Sequence, residues 1–142
     1  MGVLTDPKID SLLERTSRSF YPTLKYLPSK IRGQIGLLYL LARVADTIAD
    51  SKHGETKTLL ETLKKYNHVA QGNSDELPDF SEIASIQNNP SEKELLENVS
   101  DVITALSTYK EADRKLMLEC LDIIVNGQVL DLERFGISNE FG

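Results

Sequence analysis

Between Pro28 and Ser51 apolar residues fall so densely that only a helix buried around most of its circumference can hold them. Ile31, Ile35, Leu37, Leu38, Leu40, Leu41, Val44, Ala45, Ile48 and Ala49 leave few angular sectors for solvent. The rest of the chain must therefore pack around this segment as its central helix. Its most apolar stretch, Ile35 to Val44, includes Tyr39 and Arg43 and is too short to span a bilayer. The expected setting is cytoplasmic, or peripheral to a membrane.

Other helices are legible from apolar spacing and end signals. The first opens with Thr5 or Asp6 as N-cap and Pro7 at its first position, and buries Ile9, Leu12 and Leu13. After a bend near Thr16–Ser17 a second covers roughly Arg18 to Tyr26 and stops before Pro28. Lys52-His53-Gly54 ends the central helix. A fourth runs from about Glu55 to Gln71, with Leu59, Leu60, Leu63, Tyr66 and His68–Val69 inward. Asn, Asp, Ser and Pro crowd the stretch from Gly72 to Pro90, which reads as a loop holding one short turn around Phe80 to Ile86. A fifth helix starts near Ser91 and uses Leu95, Leu96, Val99, Val102, Ile103 and Leu106. The last runs from about Ala112 to Phe135 through Leu116, Cys120, Leu121, Ile124 and Leu132. Strand-like alternation and fixed-period repeats are missing, so the expectation is one all-α domain over residues 1–142.

Composition narrows the function classes. With 22 acidic against 16 basic residues the net charge is −6, which disfavours nucleic acid as a partner. It does not disfavour a diphosphate bridged by a cation. Trp is absent and aromatics make up 6%, so the core must be aliphatic. Cys120 is the only cysteine, which rules out an internal disulfide. Among Leu116, Met117, Leu121 and Ile124 it reads as a small core residue. His53 and His68 sit at a helix end and on a mostly polar helix, and take no catalytic role.

The polar residues of the central helix are its most specific feature. Tyr39, Arg43, Asp46 and Asp50 follow at i, i+4, i+7 and i+11 and project in one line. Acids four apart are common, but these two sit in an otherwise apolar helix. Buried charge is costly unless paired or bound to metal. Two readings stand at this point: an Arg43 ion pair with Asp46 or Asp50 that serves packing alone, or a Mg²⁺ site completed by waters and substrate phosphates.

The segment from Thr16 to Ser51, TSRSFYPTLKYLPSKIRGQIGLLYLLARVADTIADS, resembles the squalene/phytoene synthase family. A Ser-x-Ser-Phe element is matched by Ser17, Ser19 and Phe20, and a Tyr-x-x-x-Arg-x-x-Asp-x-x-x-Asp helix by Tyr39, Arg43, Asp46 and Asp50. Leu27 and Pro28 fit between them. Near the end Gly127, Gln128, Asp131 and Leu132, within NGQVLDLERF, look like the helix preceding the family's second aspartate motif. The likeness covers nearly all of this chain but about half of a typical member, and the second Asp-x-x-x-Asp is expected beyond Gly142.

The resemblance implies an isoprenoid-synthase-type helical bundle, of which this is the N-terminal part. It also implies head-to-head condensation of two allylic prenyl diphosphates, such as farnesyl diphosphate, toward squalene- or phytoene-type products. Asp46 and Asp50 would be Mg²⁺ ligands, with Arg43 and Tyr39 beside them in the catalytic site. Ser17, Arg18, Ser19, Phe20, Gln128 and Asp131 would contact substrate. NADPH would be needed only for squalene, and an apolar product implies peripheral membrane contact. The chain alone is expected to be inactive and to self-associate through the exposed inner face of its central helix. A non-catalytic scaffold of the same family is the competing reading, and an unrelated helical interaction domain is a third.

Overall fold

The computed structural model describes Leu4, residues 6–51 and residues 56–141, with side chains as far as Arg134. Among the described residues eight α-helices follow one another: α1 (Pro7–Ser17), α2 (Phe20–Leu24), α3 (Ser29–Asp50), α4 (Thr56–Ala70), α5 (Ser81–Ser85), α6 (Pro90–Glu97), α7 (Val99–Ala105) and α8 (Glu111–Phe141). A 3-10 turn, Leu106–Thr108, precedes the last. No strand occurs among the described residues. The expected Lys52-His53-Gly54 break, Glu55 and Thr5 lie outside them.

Helix α3 is the axis of the bundle, with α1, α2, α4, α6, α7 and α8 packed around it. Leu37, Leu40, Leu41, Val44, Ala45 and Ile48 are fully buried. Its first turns reach solvent, where Ile31 is exposed, and so does its last residue, Asp50. The apolar residues along the middle of α3 are covered by neighbouring helices within the one chain.

Polar side chains fix how the neighbours sit. The Asp6 carboxylate caps α1 by accepting from Lys8 N at 2.9 Å, with Pro7 in the first turn. Asp10 accepts from Leu4 N at 2.8 Å and from the Tyr21 hydroxyl at 2.7 Å, tying α2 to α1. Fully buried Tyr66 of α4 donates to the Leu41 carbonyl of α3 at 2.7 Å, and burial pushes its phenol pKa far up. Asn67 and Gln71 reach Asp122 Oδ1 and the Leu118 carbonyl of α8 at 2.9 and 2.8 Å. Helix α4 closes on Gly72, whose φ of 83° suits glycine. Paired bonds from Gly72 N to Val69 O and from Asn73 N to His68 O make this a Schellman end.

Three boundaries differ from expectation. The second helix is shorter, Phe20–Leu24. The fifth divides at Asn98, whose amide donates to the Glu94 carbonyl at 2.8 Å, so α6 and α7 meet at an angle-breaking residue. The last helix continues to Phe141 and turns a different face inward. Met117, Leu121, Val125, Val129 and Leu132 are buried, whereas Leu116 and Cys120 are exposed. Cys120 is therefore a surface thiol, not a core residue.

Removing the Leu63 side chain, fully buried between helices, should cost ~2–5 kcal/mol in denaturant unfolding of Leu63→Ala. Tyr66→Phe loses one net hydrogen bond and should cost about 1 kcal/mol. Equal costs for the two would show that the Tyr66 hydroxyl bond, not the apolar contacts, carries the α3–α4 junction.

Candidate functional site

The line of polar residues on α3 survives as a surface strip at the edge of the core. Tyr39, Arg43 and Asp46 are half-buried and Asp50 is exposed. The pair of aspartates is thus less enclosed than the apolar density suggested. The strip occupies the one flank of α3 that its neighbours leave accessible.

Asp46 is the most perturbed group on it. Partial burial pushes its pKa above the usual carboxylate value; the Arg43 charge opposes this, Asp50 adds to it, and a hydrogen bond from Gln128 opposes it again. Gln128 Nε2 of α8 donates to Asp46 Oδ1 across 82 residues of sequence. Two elements singled out separately from the sequence, the α3 strip and the NGQVLD segment, therefore meet side chain to side chain.

Helix polarity sharpens the point. Asp50 is the last residue of α3, Asp46 is one turn earlier, and the last turn carries no basic residue. Acids at a helix C-terminus oppose the macrodipole, at a cost of ~0.3–1 kcal/mol each. The arrangement therefore costs stability, and a cation would relieve it.

Arg43 does not pair with either aspartate. Its Nη2 donates to Glu92 of α6, and its buried Nε has no hydrogen-bond partner among the described residues. Glu92 was not singled out from the sequence. The signal was present: Asn89 accepts from Ser91 N at 2.8 Å as N-cap, Pro90 follows, and Glu92 holds the third helical position, where an acid usually serves a capping box. An open groove of about 520 Å³ runs between Asp50 and Glu92, lined also by Ser51, Gln87 and Asn89. Gln87 Nε2 donates to Ser51 Oγ at 3.1 Å, and Ser51 Oγ to the Thr47 carbonyl at 2.6 Å, closing the end of α3.

The Ser17–Phe20 motif reaches the strip through its aromatic member. The Phe20 and Tyr39 rings lie 5.0 Å apart and tilted by 32°, within the favourable range for aromatic pairs. Ser17 is buried and donates to the Leu13 carbonyl at 2.8 Å, inside its own helix. Arg18 and Ser19 are exposed. Arg18 terminates α1 with φ 42°, a conformation L-residues rarely adopt. Asp131 is exposed one turn beyond Gln128.

The donor set suits a hard divalent cation. Asp46 and Asp50 offer carboxylate oxygens at spare negative charge, and Mg²⁺ characteristically takes one or two carboxylates plus waters and phosphates. No group of three or more His, Cys, Asp or Glu side chains forms a cage among the described residues.

The family model for squalene/phytoene synthase matches residues 13–140, nearly the whole chain and both aspartate-strip and NGQVLD segments. The chain belongs to the squalene/phytoene synthase family. No curated protein and no solved structure matches it significantly. Membership makes this a prenyltransferase-type chain of isoprenoid biosynthesis with the family's all-α fold. Among the described residues no helix is long and apolar enough to cross a membrane.

Two predictions follow from the perturbed groups. Asp46→Asn should raise the Tm at neutral pH, with the gain shrinking toward pH 3.8 and below. The folded protein holds the Asp46 proton more tightly than the unfolded chain. Its contribution is therefore complete below the unfolded value of 3.8 and is lost as pH rises through the raised folded value. A lower Tm for Asp46→Asn at neutral pH would show that the ionised carboxylate is net stabilising. Separately, Arg18→Gly should gain about 1 kcal/mol in chemical unfolding by relieving the positive φ; a loss would mean that the Arg18 side chain outweighs its backbone strain.

Proposed function

We propose that this chain forms the first diphosphate-binding half of a head-to-head prenyltransferase site for allylic prenyl diphosphates such as farnesyl diphosphate, leading toward squalene- or phytoene-type products. The observation that carries this reading is the perturbed Asp46, held by Gln128 beside Asp50 at the dipole-disfavoured end of α3. A purely structural role gains nothing from that placement.

Asp46 and Asp50 would hold Mg²⁺, which when bound stabilises negative charge on a departing diphosphate. Gln128 fixes one Asp46 oxygen and leaves the other for coordination. Glu92 holds the Arg43 guanidinium beside the strip, where its positive charge faces the phosphates. Tyr39 and Phe20 supply paired aromatic surface that excludes water from the allylic end and presents π-density to a developing cation. Of the Ser17–Phe20 motif, Ser19 and Arg18 are the exposed donors for phosphate oxygens, because Ser17 spends its proton on the Leu13 carbonyl. Asp131 extends the polar surface one turn further along α8. A second aspartate pair of the Asp-x-x-x-Asp kind on an apolar helix is not found in residues 1–142, so binding without turnover is the expected behaviour of this chain alone.

Calorimetry with a non-hydrolysable farnesyl diphosphate analogue tests the reading. Binding should require Mg²⁺ and should fall at least tenfold, about 1.4 kcal/mol, in Asp46→Asn/Asp50→Asn. Binding that persists without Mg²⁺, or in the double variant, would refute the assignment of the aspartates.

A further inference from the structure

Arg43 stands three residues before Asp46 on α3 and one further turn from Asp50. Side chains three apart on a helix are neighbours, so a guanidinium at this position can fold directly onto the Asp46 carboxylate. The structure shows the other choice. Arg43 Nη2 donates instead to Glu92 on α6, 49 residues away in sequence. The hold is one-pronged, because Nε of the same guanidinium is buried with no hydrogen-bond partner among the described residues. A single carboxylate thus decides which way Arg43 turns.

Glu92 is built to keep that hold. Buried Ser91, Leu95 and Leu96 seat α6 in the bundle. On the α1 side Glu94 pairs with Arg15, whose Nε donates to Glu94 Oε2 at 3.1 Å. The Glu92 and Arg43 side chains are 20% and 35% exposed, against 63% and 50% for Lys8 and Asp101. Solvent and salt therefore screen the Arg43–Glu92 pair less than the pair at the far end of α1.

The consequence falls on Asp46. Gln128 takes its Oδ1, which leaves Oδ2 as the oxygen that a guanidinium and a cation would both seek. We infer that Glu92 is a positioning residue for the cation site: by drawing the Arg43 guanidinium onto α6, it reserves Asp46 and Asp50 for a divalent cation. The inference rests on the reading of these two aspartates as Mg²⁺ ligands, and adds a residue that acts on them through Arg43. With Glu92 neutralised, Arg43 turns back along its own helix onto Asp46, and a cation must displace an ion pair before it binds.

A second effect points the same way and must be separated from this one. Removing the Glu92 charge also removes some through-space attraction for any nearby cation. That loss does not need Arg43, whereas release of a competing guanidinium does. The Glu92 substitution made with and without Arg43 therefore distinguishes the two.

Mn²⁺ takes the same oxygen ligands as Mg²⁺, and electron paramagnetic resonance counts its free form without any turnover. Titrated into the full chain in the absence of diphosphate, Mn²⁺ should bind about fivefold more weakly to Glu92→Gln. In an Arg43→Gln background the same Glu92→Gln change should shift binding by less than about twofold. Glutamine keeps the shape of glutamate, and each variant should retain the helical circular dichroism of the parent chain. Equal losses in the two backgrounds, or no loss in Glu92→Gln alone, would overturn the role given to Glu92 while leaving the aspartates as ligands. No Mn²⁺ binding by the parent chain, or undiminished binding by Asp46→Asn/Asp50→Asn, would overturn the reading of the aspartates and this inference with it.

Discussion

Everything in this structure hangs on the burial of one helix. Six neighbours share α3 as a common core wall, and the apolar residues they cover are among the least exposed of the described residues. Because apolar burial is non-directional, it alone would tolerate many rotations of α3. The specific rotation comes from directional bonds. The Tyr66 hydroxyl on the Leu41 carbonyl and the Gln128 amide on Asp46 fix α3 from two sides. That setting leaves the Tyr39–Asp50 line at the bundle surface.

The site inherits its character from this compromise between core and surface. Asp46 is enclosed enough for partial burial to be the main influence raising its pKa, while Asp50, one turn on, remains open to solvent. One carboxylate is thus oriented and the other adaptable. Arg43 would have neutralised them had it turned along its own helix. Its pairing with Glu92 instead balances its charge on α6 and leaves the two aspartates without a direct ion-pair partner.

Much of this was legible in the sequence, and the failures have physical causes. The central position of α3 followed from apolar density, and both motif segments were picked out by family resemblance; that Gln128 bonds Asp46 was not legible, since no periodicity links the two. The Arg43 partner was missed because Glu92 lies on a distant short helix, and capping-box spacing supplied a sufficient local role for it. The break at Asn98 was missed because Leu95, Leu96, Val99 and Val102 keep helical spacing across it; a side-chain bond to the backbone interrupts the ladder without disturbing the pattern. Cys120 was misplaced for another reason: α8 has two apolar faces, and periodicity cannot say which of two equivalent stripes a bundle will choose.

The bond between Gln128 and Asp46 closes a loop of 82 residues, and that separation shapes how the site comes into being. Local turns such as the capped start of α1 can form early and alone, whereas a contact of this span must wait until the intervening helices have condensed. The oriented carboxylate is therefore a property of the finished bundle rather than of α3. No shorter segment, however helical, would display it. Any ligand that selects this geometry would consequently favour the docked position of α8 and slow the release of the chain's last helix from its first core wall.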